Sequence, residues 1–288
     1  MKIYLDGKLV DKDKAVISVF DHGLLYGDGV FEGIRSYNNL IFRMKEHIDR
    51  LYRSADAIGL KIPLTKTEMI EATINTVKAN GLSDSYIRLV VTRGTGDLGL
   101  DPRKCKKATI FIIAGKISLY PEEYYKKGLA IITATTRRNI PQALDPRIKS
   151  LNYLNNILAK IDAIKSGTEE AIMLTHEGYV AECTGDNIFI VKKGALLTPP
   201  VSVGALEGIT RDAVMHLAKK MDIPFRDKML RMEDLYDADE VFLTGTAAEI
   251  IPVIAIDDRK IAAGLPGDYT LTLMKEFKKL TKSDGVKY

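Results

Sequence analysis

The sequence predicts an α/β chain built as two domains, and three observations carry that expectation. Its 288 residues exceed the usual size of one compact domain. Segments of alternating apolar residues and segments of helical periodicity follow one another along the chain. A stretch around Pro121, rich in charged residues, interrupts both rhythms. The expected division is a smaller α/β sandwich over residues 1–118, a connection over 119–127, and a larger domain over 128–288 with a mixed, barrel-like sheet.

The first domain opens with strands. Lys2–Leu5 and Lys8–Val10 flank Asp6-Gly7, and 31–37 and 40–43 flank Asn38-Asn39; both pairs of residues suit tight hairpin turns. From 45 to 58 the chain turns helical, with Ile48, Leu51, Tyr52, Ala55 and Ile58 on one face. A second helix is expected from about 66 to 80, capped by Thr65 or Thr67 and stopped at Gly81. Strands follow at 86–92 and 109–114. Beyond the connection the expected order is strand 129–136, a loop with Pro141 and Pro146, and helix 150–165. Strands 171–175, 179–183 and 187–192, helix 209–220, strand 239–244 and helix 268–280 complete it.

Composition excludes several classes. Apolar residues make up 46% and charged residues 28%, with a formal charge of +4, which is ordinary globular chemistry. Basic residues are dispersed, which argues against a nucleic-acid partner. Cys105 and Cys183 are the two cysteines; they give neither a disulfide framework nor a zinc cluster, so no metal is expected. The N-terminus lacks the apolar run of a signal peptide, and no stretch reaches the roughly 18 apolar residues of a membrane span. A cytoplasmic location is the expectation.

Lys149 stands out by its setting, at the end of a Pro-interrupted loop and directly before a helix, in Arg147-Ile148-Lys149-Ser150. Taken alone it reads as a solvated loop lysine. The run Glu182-Cys183-Thr184-Gly185-Asp186-Asn187-Ile188-Phe189 changes that reading. With Leu196, Leu197 and Thr198, then Leu206, Gly208, Ile209 and Arg211, it resembles the signature of the class IV aminotransferases. The resemblance extends over nearly the whole chain. Tyr26 to Gly33, His47 with Arg50, and Thr244-Gly245-Thr246-Ala247-Ala248-Glu249 look like the family's other active-site segments in their proper order.

The resemblance implies a fold type IV enzyme that uses pyridoxal 5'-phosphate, with Lys149 holding the cofactor as a Schiff base. Glu182 would meet the pyridine nitrogen and keep it protonated. Tyr153, four residues after Lys149, would share its helix face and reach the cofactor's phenolate oxygen. Gly208, Ile209 and Thr210 open a helix whose free N–H groups suit a phosphate, joined by Thr246 and by the planar fork of Arg50. His47 reads otherwise as a helix histidine beside Glu46 and Asp49.

Tyr86-Ile87-Arg88 places Tyr86 and Arg88 on one strand face. The triplet resembles the branched-chain members, in which the Arg would receive a dicarboxylate such as 2-oxoglutarate. Tyr26, Phe31 and Gly33 would line an apolar pocket, with Thr246 and Ala247 also toward substrate. L-leucine, L-isoleucine and L-valine are the expected donors. A D-amino-acid aminotransferase and an aminodeoxychorismate lyase are the alternatives of the same fold. The family shares its sites between subunits, so a homodimer or higher homo-oligomer is implied, with Gly99, Leu100 and Asp101 in the shared wall. The roles of Tyr120 and Tyr124 stay open between gate and packing.

Overall fold

The computed structural model describes residues 1–117 and 119–288. The chain forms two compact units. One comprises Met1–Ile117, Ile148–Asn152 and Thr281–Tyr288; the other comprises Ser118–Arg147 and Tyr153–Leu280. The expected domain limit at residue 118 falls on Ser118, outside the described residues.

The first unit begins with β1 (Lys2–Leu5), β2 (Lys8–Asp11), α1 (His22–Tyr26), β3 (Gly29–Tyr37) and β4 (Leu40–Phe42). Helices α2 (Met44–Ala57) and α3 (Lys66–Ala79) and strands β5 (Ser85–Thr92) and β6 (Thr109–Gly115) follow. Asn38 and Asn39 turn the β3–β4 hairpin with φ of 48° and 62°, left-handed values that asparagine tolerates. Thr65 caps α3 in a reciprocal box with Glu68. Strand alternation then builds the core. Val30, Ile34, Ile87, Leu89, Ile110 and Ile112 lie on one sheet face against Met44, Ile48 and Leu51 of α2 and Met69 of α3. Each such side chain contributes about 1.5–3 kcal/mol when fully buried.

The second unit holds α4 (Glu122–Lys127), β7 (Leu129–Thr133), α5 (Leu154–Lys165), β8 (Ala171–Leu174), β9 (Val180–Cys183) and β10 (Asn187–Lys192). It continues with β11 (Ala195–Thr198), α6 (Ile209–Lys220), β12 (Phe225–Asp227), α7 (Met232–Tyr236), β13 (Glu240–Gly245), β14 (Glu249–Ile256), β15 (Arg259–Lys260) and α8 (Asp268–Leu280). The chain ends with β16 (Gly285–Lys287), which pairs with β4 in the first unit. The first sheet thus runs β16-β4-β3-β5-β6-β1-β2 and is antiparallel throughout.

The second sheet runs β12-β11-β10-β13-β14-β7-β8-β9, with β15 on β14. It is mixed, since β7 pairs in parallel with both β14 and β8. Strands β10 and β9 stand five places apart in that order, which in a flat sheet is about 24 Å. Only residues 184–186 join them, a link that spans about 14 Å at most. The sheet therefore curls back toward itself, giving the barrel-like form expected of this half.

Within the expected connection Glu122–Lys127 forms α4. The expected start of the next helix needs correction. Helix α5 starts at Leu154, not at 150. The physical reason is tertiary: Phe31 N donates to the Lys149 carbonyl and Leu151 N donates to the Gly29 carbonyl, so residues 149–151 spend their backbone groups on β3. Among the described residues no helix is long and apolar enough to cross a membrane.

Candidate active site

In the first unit, β3 and β5 pair with Gly33 opposite Arg88. Phe31, Gly33, Tyr86 and Arg88 consequently emerge on the sheet face away from α2 and α3. The Arg88 guanidinium lies 4.6 Å from the Phe31 ring centre and 5.5 Å from that of Tyr86. The Tyr86 hydroxyl lies over Gly33, where a Cβ would come within 2.3 Å of it. A side chain at 33 would have to displace the Tyr86 hydroxyl.

Lys149 joins this group. Its backbone is pinned by the β3 bonds given above and by donation from its N–H to Ser54 Oγ at 3.1 Å. Its Nζ stands 4.6 Å from the Phe31 ring centre, a cation over an aromatic face. The Tyr26 hydroxyl donates to the Leu98 carbonyl at 2.7 Å, tying α1 to the loop that carries Gly99, Leu100 and Asp101.

Behind the same strand sits a buried charged triad that the sequence did not reveal. Glu32, wholly inaccessible, accepts from Arg50 Nε and Nη2 at 2.8 Å each and meets His47 Nδ1 at 2.7 Å. Burial alone would raise the Glu32 carboxyl, but the charge and bonds of Arg50, with those of His47, outweigh it and hold the pKa at about 2. Burial lowers His47, and Glu32 only partly offsets that. At neutral pH His47 is thus uncharged and Nδ1 carries the proton toward the carboxylate. Its partner is Glu32, not Glu46 or Asp49. Arg50, expected at a phosphate, has two of its nitrogens on this carboxylate.

In the second unit the Glu182 carboxylate is buried at the end of β9. Oε1 accepts from Arg138 Nη2 at 2.6 Å; Oε2 accepts from Asn187 Nδ2 at 3.1 Å and Leu206 N at 2.9 Å. Arg138 is held in turn by the Gly204 carbonyl and Asn156 Oδ1. Sequence reasoning missed Arg138 because its partners lie 18, 44 and 66 residues away.

Gly208 is the N-cap of α6 and supplies no side-chain cap, leaving the first N–H groups of Ile209 and Thr210 for an anion. It packs against Asn187, whose Oδ1 a Cβ at 208 would approach within 1.9 Å. Thr244 pairs with Asn187 across β13 and β10, and its buried hydroxyl has no hydrogen-bond partner among the described residues. Thr246 and Ala247 occupy the turn between β13 and β14, half-buried. Tyr153 is the N-cap residue of α5; the expected helical turn shared with Lys149 does not form. Arg211 is structural, with Nη2 on Asp227 at 2.6 Å.

A held carboxylate, an uncapped helix start and an orphaned hydroxyl in one unit fit pyridoxal phosphate. They would serve its ring nitrogen and its phosphate.

Comparison with known proteins agrees. The family profile "Amino-transferase class IV" matches residues 29–256. A Methanocaldococcus jannaschii protein, provisionally named a branched-chain-amino-acid aminotransferase, is 55% identical over 287 residues and covers 100% of this chain and 99% of its own. The crystal structure of the Escherichia coli branched-chain amino acid aminotransferase superposes with a TM-score of 0.95 at 35% identity, covering 99% of this chain and 96% of that one. The branched-chain amino acid aminotransferase of Thermobaculum terrenum, in its PLP-bound holo form, gives 0.87 at 32% identity, covering 97% and 93%. The fold, the signature run around Glu182 and these likenesses together establish that the chain belongs to the class IV aminotransferases, a family whose cofactor is pyridoxal 5'-phosphate.

Proposed function

We propose that the chain transfers the amino group of L-leucine, L-isoleucine or L-valine to 2-oxoglutarate. The observation that carries this is the sheet face on which Lys149, Phe31, Gly33, Tyr86 and Arg88 meet. It offers an amine, an apolar aromatic wall and one guanidinium for a second carboxylate. The names of the relatives support the same substrate class.

Pyridoxal phosphate, when bound, supplies an electron sink for the reaction. The chain does the rest. Lys149 would hold the cofactor through its side-chain amine and, as a free amine, would carry the substrate's α-proton. Glu182, kept in place by Arg138 and Asn187, would meet the ring nitrogen and keep it protonated. The N–H groups at Gly208, Ile209 and Thr210, the Thr210 and Thr246 hydroxyls, and Arg50 take the phosphate. Tyr153 serves the phenolate oxygen. Tyr26, Phe31, Gly33 and Tyr86 surround the substrate side chain, Thr246 and Ala247 take its carboxylate, and Arg88 takes the distal carboxylate of 2-oxoglutarate. A methylene is worth only about 1–3 kcal/mol of discrimination, so the three donors overlap.

The test is the visible absorbance of the purified protein titrated with L-leucine and, separately, D-leucine. The bound-cofactor band is expected to fade with the L-isomer and return with 2-oxoglutarate. A response to D-leucine alone would move the chain to the D-specific branch, and pyruvate release without an acceptor would make it a lyase.

Self-association belongs to the same proposal. In the first unit Val16, Val19, Leu98 and Leu100 are 72%, 69%, 71% and 79% exposed. In the second, Leu154, Ile157, Ile161 and Ile164 of α5 form an exposed stripe at helical spacing. Apolar surface of this extent signals a partner. Sedimentation velocity is expected to give at least a dimer, and a monomer at micromolar concentration would contradict it. The unpaired thiols of Cys105 and Cys183 suit a reducing cytoplasm.

A further inference from the structure

Tyr120 belongs to none of the assignments above, yet it is buried, being only 3% exposed. Its hydroxyl lies 3.2 Å from Glu170 Oε2 and 3.4 Å from Asp186 Oδ2. Both carboxyls are themselves buried, at 3% and 5% exposure. Two adjacent buried carboxylates with no bonded cation among the described residues resist joint ionisation, because each desolvated charge raises the cost of the other. The Glu170 carboxyl is the better supported of the two, since its Oε1 accepts from Ala171 N at 2.8 Å and Thr184 N at 2.9 Å. Asp186 must therefore hold the proton.

The neighbours agree with that allocation. Facing Asp186 are Glu170 ahead of β8, Tyr120, Glu182 and Cys183 of β9, and Lys160 of α5. Lys160 directs its ammonium to the Glu169 carbonyl, and Glu182 is satisfied by Arg138. Burial, then the charge of Glu170, pushes Asp186 up to about 8. Burial also pushes the Tyr120 phenol far up and the Cys183 thiol well up, so neither gives up a proton in its place.

The location gives the shared proton a role. Asp186 ends the turn between the strand that carries Glu182 and the strand that carries Asn187. Its Oδ1 also lies against Gly245, where a Cβ would come within 1.8 Å; Gly245 leads into Thr246 and Ala247. We propose that Tyr120, Glu170 and Asp186 are positioning residues, that the two carboxyls share one buried proton beside the phenol, and that the neutral Asp186 carboxyl holds the Glu182 strand and the Gly245–Thr246 turn in place for the cofactor. The positional half of this rests on the aminotransferase reading; the shared proton does not. Loss of the proton puts a second anion behind both segments and loosens cofactor binding at alkaline pH.

Asp186→Asn copies the neutral carboxyl and is the decisive variant. Denaturant unfolding of the purified wild-type and variant proteins, each with its bound cofactor, is followed from pH 5 to 9. An unfolded Asp releases its proton near 3.8 while the fold retains it to about 8. The unfolded state therefore binds fewer protons across that window, and wild-type stability falls as pH rises. The ratio of unfolding constants, wild type over Asp186→Asn, is expected to climb about tenfold per pH unit up to about 8 and then level off. A ratio that stays flat overturns the shared proton.

The second readout is the cofactor dissociation constant over the same range. Wild type is expected to weaken more than the variant above pH 8, by about tenfold per unit. Equal pH dependence in the two proteins overturns the positioning role. A sloping unfolding ratio with no cofactor binding in either protein upholds the shared proton and overturns the aminotransferase reading, and the positioning role with it.

Discussion

Replacing Lys149 with alanine is expected to lower turnover with L-leucine by at least about 10²–10⁴-fold, the order of magnitude contributed by one positioned proton-transfer group. The fold is expected to survive, because what pins this residue is its backbone. Its N–H donates to Ser54 and its carbonyl accepts from Phe31, and alanine keeps both bonds. The side chain gives up its placement over the Phe31 ring, about 0.5–1 kcal/mol, a loss a folded domain tolerates. Lys149→Arg keeps that cation but never offers a neutral amine, so it is expected to be equally inactive. Turnover, absorbance and thermal unfolding measured together separate the cases. An alanine variant within about tenfold of wild type would remove Lys149 from the chemistry, and one that fails to fold would leave Lys149→Arg to decide.

Local order was largely legible because local chemistry dictates it. Ile48, Leu51 and Ala55 repeat at helical spacing and are buried on α2. Asn38-Asn39 makes the turn that its tolerance of positive φ allows. Tyr86 and Arg88 share a face because strands alternate. Gly208 caps α6 where the signature run placed a helix start.

What escaped was tertiary. The start of α5 moved to Leu154 because β3 captures residues 149–151, and no helical periodicity contains that information. Arg138 is one arginine of an Arg-Arg pair in a Pro-containing loop, and only the fold brings it to Glu182. Tyr120 stands in a linker-like stretch of sequence, and only the fold sets its hydroxyl between two buried carboxyls. In each instance the deciding partner is remote in sequence, and burial makes the pairing costly to break.

That cost is largest at Glu32. Removing the carboxylate by Glu32→Ala leaves the buried Arg50 charge uncompensated, which typically costs about 3–5 kcal/mol. The pH dependence is a sharper test. Glu32 titrates near 4.5 when unfolded and at about 2 in the fold, so below 4.5 the unfolded chain binds the extra proton. Its stabilisation is complete above 4.5 and is lost as pH falls through about 2. The total is about 3 kcal/mol, at about 1.36 kcal/mol per unit. His47 acts in the same direction at higher pH. Its folded pKa is lowered below 6.5, so the unfolded histidine takes up a proton first and stability starts to fall as pH drops below 6.5. Wild type is therefore expected to lose stability below pH 6.5 and to lose more below 4.5, whereas Glu32→Gln lessens the loss below 4.5. A variant that keeps the full acid slope would show that the carboxylate at 32 is not its source. Because the same carboxylate fixes two nitrogens of Arg50, Glu32→Gln is also expected to release cofactor more readily at neutral pH, where the variant still folds. Fold stability and cofactor retention then report on one buried ion pair through independent measurements.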